Sequence, residues 1–343
     1  MFLLLPQIFL LEKSTENLRI QRWIVIVAVI LFGFKIAAYF LTKSVAVLTD
    51  ALESVVNVIA GFIGLYSLYI AAKPRDENHP YGHGKAEFLS SAIEGVLIAI
   101  AGLIIIYESV HAFISPRTLY KLDTGILLIA FTGAINFIFG QISLRKGKKN
   151  NSAALIASGK HLLSDTYSTV GIIIGLTLIY FTHQLWIDGA VAIVFALIII
   201  YTGYTVLRSS IAGIMDEADK KLLSKMVDFL NSNRRENWID LHNLRVIKYG
   251  SILHIDCHLT VPWYLTVNEA HTELEILTEL IKKEYGHAIE LFVHTDPCLD
   301  FSCSICLKKD CNVRKKPFTK KIEWDLKNAI PDRKHSISGI KES

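Results

Sequence analysis

The sequence predicts an α-helical membrane domain of six transmembrane helices, followed by a soluble α+β domain of order αββαβ. Three observations carry that prediction. Apolar stretches near bilayer-spanning length run at about 20–41, 45–72, 88–114, 122–144, 153–182 and 187–209. Beyond residue 212 the hydropathy collapses into the mixed pattern of a soluble fold. Two of the apolar stretches also carry pairs of metal-type ligands, which hydrocarbon excludes unless they have work to do. With 52% hydrophobic residues and a mean hydropathy of +0.39, the whole chain lies on the apolar side of ordinary soluble proteins.

The first eleven residues, MFLLLPQIFLL, are apolar but too short to span and contain Pro6. They lack a basic n-region and a small-residue cleavage site, so they read as an interfacial stub or an overextended start, not a cleaved signal. This gives an N-terminal cytoplasmic segment at 1–18 and the six-helix domain at 19–211. Orientation follows from the basic residues. Lys13, Arg19 and Arg22 precede the first helix, Lys73, Arg75 and Lys85 follow the second, and Arg145, Lys146, Lys148 and Lys149 follow the fourth. The loops on the other side hold only Lys43, then Arg117 and Lys121, then no Lys or Arg. Both termini and the soluble domain are therefore expected in the cytoplasm. The net charge of +4 calls for no nucleic-acid partner.

Helix two, in SVAVLTDALESVVNVIAG, carries Glu53 and Asn57; helix five, in IASGKHLLSDTYSTVGIIIG, carries His161 and Asp165. A carboxylate at the bilayer centre costs roughly 2.5–3.5 kcal/mol even on the lenient insertion scale. Residues four apart on a helix lie about 40° apart and one turn along, so each pair shares a face. Two such faces turned together make a four-ligand site within the bilayer. Asp50 lies one turn before Glu53, and two readings stand for it: an auxiliary ligand or proton relay, or a structural carboxylate bonded to a neighbouring helix. Between helices two and three, KPRDENHPYGHGKAEF places Asp76, His79 and His83 on a short turn broken by Pro80, Gly82 and Gly84, within reach of one divalent ion. Glu94, Asn136 and Gln141 read as interhelical hydrogen-bonding groups. Glu108, His111, His183 and Asp188 sit near the outer ends, where interfacial solvation accounts for them.

The soluble part, 212–297, opens with helical DEADKKLLSKMVDFL. In the strand SILHIDCHLTV, Leu253, Ile255, Cys257, Leu259 and Val261 alternate with His254, Asp256, His258 and Thr260, so the apolar set faces the core and Cys257 is a buried thiol. The helix TVNEAHTELEILTELIKKEY follows, then a strand on which His294 and Asp296 share a face. Residues 298–343 form a Cys-containing basic tail, expected to be partly disordered. Cys298, Cys303, Cys306 and Cys311 in PCLDFSCSICLKKDC admit two readings, a structural Zn²⁺ held by four thiolates or four reduced thiols.

VLTDALESVVN, DENHPYGHGKAE and HLLSD, in that order across six helices with a soluble domain behind them, resemble the cation diffusion facilitator family over about residues 15–298. The resemblance implies a ferredoxin-like fold for the αββαβ domain. It also implies a homodimeric secondary transporter rather than an enzyme, set in the lipid bilayer of the plasma (inner) membrane. Such a protein moves a divalent metal ion out of the cytoplasm in exchange for protons. On family grounds zinc comes first, with iron, manganese, cobalt or nickel open. Carried over, the transport site falls on Glu53, Asn57, His161 and Asp165, and the loop site on Asp76, His79 and His83. The regulatory metal positions fall on His242, His258, His271, His294 and Asp296, and a charge interlock on Lys85 and Asp216. One departure stands out. The family commonly has Asp or His and then Asp in the helix-two pair, whereas Glu53 and Asn57 stand here. A neutral amide carbonyl replaces an anionic oxygen, and the Glu stem is one methylene longer, which changes the cavity and its selectivity. A metal sensor or metal-gated channel is the rival reading. The polar groups concentrate at one level and leave no continuous pore lining, which disfavours the channel. No HExxH, phosphate-cradling glycine loop or nucleophile elbow points to catalysis.

Overall fold

A computed structural model describes residues 4–42, 45–114, 122–182, 186–250, 252–286 and 288–337. The chain divides into two compact units, Leu10–Met215 and a second built mainly from Asp216–Ser343.

The first unit consists of six long helices: α1 (Leu4–Thr42), α2 (Val45–Ala71), α3 (Ala86–Ile114), α4 (Leu122–Asn150), α5 (Ala153–Thr182) and α6 (Trp186–Ile214). Among the described residues, the windows Ser14–Ala37, Ala86–His111 and Ala196–Ile214 are long and apolar enough to cross a bilayer. Helix α1 runs unbroken through residues expected to form a separate segment at 1–18. Pro6 lies in its first turn, where a missing N–H breaks no hydrogen bond. Helix α4 likewise continues through the basic run RKGKKNN, and Lys148 and Lys149 in its last turn complement the helix dipole.

Helix α3 packs along α6 and α4 along α5, with α5 also against α6. Glycine sets the closeness of both pairings. A Cβ on Gly95 would stand 2.7 Å from the Leu207 amide nitrogen, and one on Gly203 would stand 2.7 Å from that of Ala99. One on Gly159 would come equally close to Leu144 on α4. Backbones in direct contact leave no room for larger residues. The start of α5 is held by a carboxylate from another helix. Buried Glu87 of α3 accepts from the Ser152 hydroxyl, and the Ala154 amide lies 3.4 Å from the same oxygen. This occupies donors that a helix N-terminus would otherwise leave orphaned.

The second unit contains α7 (Lys220–Ser232), β1 (Asp240–Tyr249), β2 (Ile252–Val261), α8 (Val267–Tyr285) and β3 (Ile289–Pro297). Asp219 caps α7 by accepting from the Leu222 amide at 3.0 Å, and α7 buries Leu223, Met226, Val227 and Leu230 at helical spacing. Thr266 and Glu269 form a reciprocal capping box on α8. Strand β2 is central, antiparallel to β1 and parallel to β3. Leu253, Ile255, Cys257, Leu259 and Val261 face the core with α7 and α8, as the alternation predicts. Burial pushes the Cys257 thiol up to about 12. The order αββαβ is the one read from the sequence.

The described part of the tail folds back on the sheet through a 3-10 turn (Asp300–Ser304) and a short helix, α9 (Leu326–Ala329). Trp324 and Ala329 are buried in the main core. The Arg234 guanidinium lies 4.4 Å from the Trp324 ring and donates to the Ile322 carbonyl. The Asn243 amide donates to the Pro331 carbonyl at 3.0 Å. A single tryptophan and a few polar anchors supply what a basic, low-hydropathy composition conceals.

Candidate metal centres

Three ligand clusters emerge among the described residues, two in the first unit and one in the second. The deepest lies between α2 and α5, where His161 and Asp165 share a face one turn apart and both are buried. The Asn57 carbonyl stands 2.8 Å from His161 Nε2, while the Asn57 amide nitrogen donates to Asp165. One amide thus joins the two α5 ligands. His161 Nε2 is 3.9 Å from Asp165 Oδ1. Asp50 and Glu53 fall within α2 but outside the residues whose side chains are described.

The other side of the His161 ring meets a residue read from sequence only as an interhelical group. Buried Glu94 of α3 places Oε1 3.4 Å from His161 Nδ1. The Ser158 hydroxyl reaches Glu94 at 3.3 Å, and Gln21 of α1 donates to Ser158 and to the Gly61 carbonyl. A polar chain therefore runs from α1 through α5 and α3 to His161, and from there to α2. Carboxylates in this second position orient metal-binding imidazoles and fix which ring nitrogen is free.

The second cluster is the turn before α3. His79 Nδ1 lies 2.9 Å from Asp76 Oδ1, and His83 Nε2 lies 3.3 Å from Asp76 Oδ2. The two imidazole rings are 4.2 Å apart. Gly82 makes the tight return possible with φ of +91°, a conformation that suits glycine. The hydrogen bond from His79 holds the Asp76 carboxyl below its usual range. Asp76 and His79 are half-exposed, whereas His83 is largely buried and its Nδ1 has no hydrogen-bond partner among the described residues. Nearby, Lys85 Nζ donates to the Ile214 carbonyl at 3.3 Å.

The third cluster spans the sheet. Pairing sets His242 opposite His258 and His258 opposite His294, with Asp296 opposite Thr260. Asp296 Oδ2 stands 3.4 Å from His242 Nε2 and 3.4 Å from His258 Nδ1. That oxygen is buried and makes no hydrogen bond among the described residues. The His294 ring stacks 4.7 Å from that of His258, with its Nε2 3.7 Å from Asp296 Oδ1. Burial, aided by the neighbouring His242, pushes the His258 imidazole down, which favours the neutral, ligating form. His271 does not join this group. It is exposed on α8, 3.7 Å from Glu275.

The folded tail borders the third cluster with residues that sequence reading missed. Lys334 Nζ lies 3.5 Å from Asp296 Oδ1, and Asp332 lies 4.0 Å from His258 Nδ1. The His335 amide donates to Asp240 at 2.9 Å, and its ring bonds the same carboxylate, which also approaches His242. Burial alone would raise the Asp240 pKa, but the bonds from His242 and His335 outweigh it and hold the carboxyl well below its usual range.

Cys298, Cys303, Cys306 and Cys311 all line a single cavity at the end of the sheet, beside Ile239, Pro262 and Tyr264.

Comparison with known proteins gives the family of both units. Residues 22–215 match the cation efflux transmembrane domain, and residues 218–298 match the cation efflux protein cytoplasmic domain. An uncharacterized transporter of Synechocystis sp. is 34% identical over 78% of this chain and 86% of its own length. The manganese efflux system protein MneS of Bacillus subtilis is 29% identical, covering 78% of this chain and 91% of that one. A cadmium, cobalt and zinc/H(+)-K(+) antiporter of Bacillus velezensis is also 29% identical, over 72% of this chain and 79% of its own.

Proposed function

Since the chain belongs to the cation diffusion facilitator family of divalent-cation efflux transporters, we propose that it exports a divalent transition metal ion in exchange for protons, with zinc the first candidate. The observation that carries the reading is the buried His161–Asn57–Asp165 constellation. Glu53, Asn57, His161 and Asp165 bind the cargo, and Asp50 serves as an auxiliary ligand or relay. Glu53 and Asp165 supply the negative charge that a divalent ion requires, and Asn57 supplies a carbonyl oxygen.

Proton and metal compete for the same atoms. Both His161 nitrogens face oxygens, an arrangement best satisfied when the ring carries a proton on each. An imidazole has an ordinary pKa of about 6.5, so it exchanges its proton near neutral pH. Metal entering at Nε2 must displace a proton, and a proton returning from the far side drives the metal off. Alternating access then carries the site from one face of the membrane to the other.

The remaining clusters serve regulation. Asp76, His79 and His83 bind a metal ion at the entrance. His242, His258, His294 and Asp296 sense it in the cytoplasmic domain. The protein works as a homodimer in the plasma (inner) membrane with both termini cytoplasmic, and the family's charge interlock falls on Lys85 and Asp216. The names of its relatives include manganese as well as cadmium, cobalt and zinc, so the cargo is decided by assay.

The test is uptake of Zn²⁺, Mn²⁺, Fe²⁺, Co²⁺ and Ni²⁺ into liposomes, with and without a pH gradient, beside Asp165→Ala. Gradient-dependent uptake that the substitution abolishes is expected, and it names the metal. Metal binding without uptake of any ion would replace the antiporter with the sensor.

A further inference from the structure

The match to the cytoplasmic domain ends at residue 298, the first of the four tail cysteines. Family resemblance therefore offers no account of residues 299–343, while the structure gives their described part a definite form. Cys298 directly follows β3, its amide donating to the Val261 carbonyl at 2.9 Å. Cys303 sits in the 3-10 turn, Cys306 is buried two residues beyond it, and Cys311 closes the loop. The spacing is C-x4-C-x2-C-x4-C, with all four side chains lining one cavity.

One sulfur also has a donor from the loop itself. The Lys315 amide lies 3.4 Å from Cys303 Sγ. Tyr264 and Lys308 line the same cavity as the four cysteines. Sulfur is a weak acceptor as a thiol and a strong one as a thiolate. Arg314 holds the loop around the cavity, donating to the carbonyls of Cys303 at 2.7 Å and Cys306 at 3.3 Å, and to that of Lys308. Its charge, with Lys308 beside it in the lining, offsets a concentration of thiolates.

Apolar burial does not explain why this loop stays folded. Its own core is small: Ile239, Ile305 and Cys306, flanked by Cys298 and Ile322. Segments with so little core are held by a disulfide or a metal. All five cysteines are free thiols, and the four in the tail converge on one cavity, which a metal ion would close.

We propose that Cys298, Cys303, Cys306 and Cys311 bind one zinc-class ion as a structural four-thiolate site that fastens the tail to the sheet. Four soft anionic sulfurs select a tetrahedral d¹⁰ ion over the harder cations that suit oxygen ligands. No three of the sulfurs lie mutually within 4.8 Å. Closure around an ion with Zn–S bonds of about 2.3 Å turns the side chains inward and tightens the loop. The ion is resident, distinct from the cargo and from the His242 cluster.

The test uses the full-length protein in detergent. Zinc content by mass spectrometry is measured for Asp76→Ala, Asp165→Ala and Asp296→Ala combined, then with Cys303→Ser and Cys306→Ser added. The first variant is expected to retain one tightly held equivalent per chain and the second to lose it. Cobalt added to the wild-type protein, which needs no folded variant, gives thiolate-to-metal charge-transfer absorption if the site exists. The same thiols resist alkylation until a chelator is added. Four thiols that alkylate at once with no cobalt–thiolate band, or a mass lowered by two hydrogens per bond from disulfides, would overturn the proposal.

Discussion

At His161, both ring nitrogens face oxygens, and the Asn57 amide passes from the imidazole to Asp165, so the ligands satisfy one another. At Asp296, one carboxylate oxygen is buried between two imidazoles and makes no hydrogen bond among the described residues. The same ligand chemistry therefore stands on two different footings. At the proposed transport site Asn57, His161 and Asp165 have one another as partners without an ion, so release of a bound ion would cost little. In the sheet, a buried acceptor without a donor costs about 1–3 kcal/mol, and a cation recovers it. The first arrangement suits repeated loading and unloading, the second retention.

The largest effect breaks the first side only. Asp165→Ala should lower metal uptake in liposomes more than about 100-fold, beyond the 10–100-fold typical of outer partners. Asp296→Ala should leave uptake within a few-fold of wild type and remove metal bound by the cytoplasmic domain. Equal losses in both variants would erase the distinction. Trp324→Ala comes next. Losing this buried ring should destabilise the second unit by about 3–5 kcal/mol in chemical denaturation followed by circular dichroism, and free Lys334 and His335 from the sheet cluster. The membrane cluster should bind metal as before.

Glu94→Gln sharpens the comparison from the other direction. It keeps a hydrogen-bonding group against His161 but removes its charge, so metal affinity by isothermal titration should fall by about 10–100-fold while the helices remain folded. An unchanged affinity would make Glu94 a packing group.

Asp240→Asn should show the smallest effect, a loss of stability that is present at neutral pH and shrinks in acid. The folded-state pKa of Asp240 is depressed, so its contribution to stability is present above its unfolded pKa of about 3.9 and is lost as pH falls through the folded value. The wild-type second unit should therefore lose stability below about pH 5 more steeply than the variant. Parallel acid limbs in thermal melts would show that the His335 contact contributes nothing.

The features legible in the sequence have a local period. Asn57, His161 and Asp165 share helix faces by spacing, and the β2 alternation alone separates Cys257 from His258. The turn of Asp76, His79 and His83 is equally legible, because Pro80, Gly82 and Gly84 mark it. The features that escape depend on pairs far apart in the chain. Glu87 caps α5 from another helix, and Glu94 meets His161 across a helix boundary; neither has a local signature beyond being a carboxylate in an apolar span. The tail escapes because its anchors are single residues. Trp324 finds Arg234, and His335 finds Asp240, contacts that a basic composition hides.

The returning tail also changes what the sheet offers to other molecules. Strand β1 is an edge, and an open edge is a row of unpaired amides and carbonyls that a foreign strand can copy and extend. Here the Asn243 amide is already taken by the Pro331 carbonyl, beside a bulge between His242 and Arg245. A strand approaching from that side meets an interrupted register and a proline instead of a template. The segment that borders the His242–Asp296 cluster thus interrupts strand addition along β1 and guards that edge against aggregation.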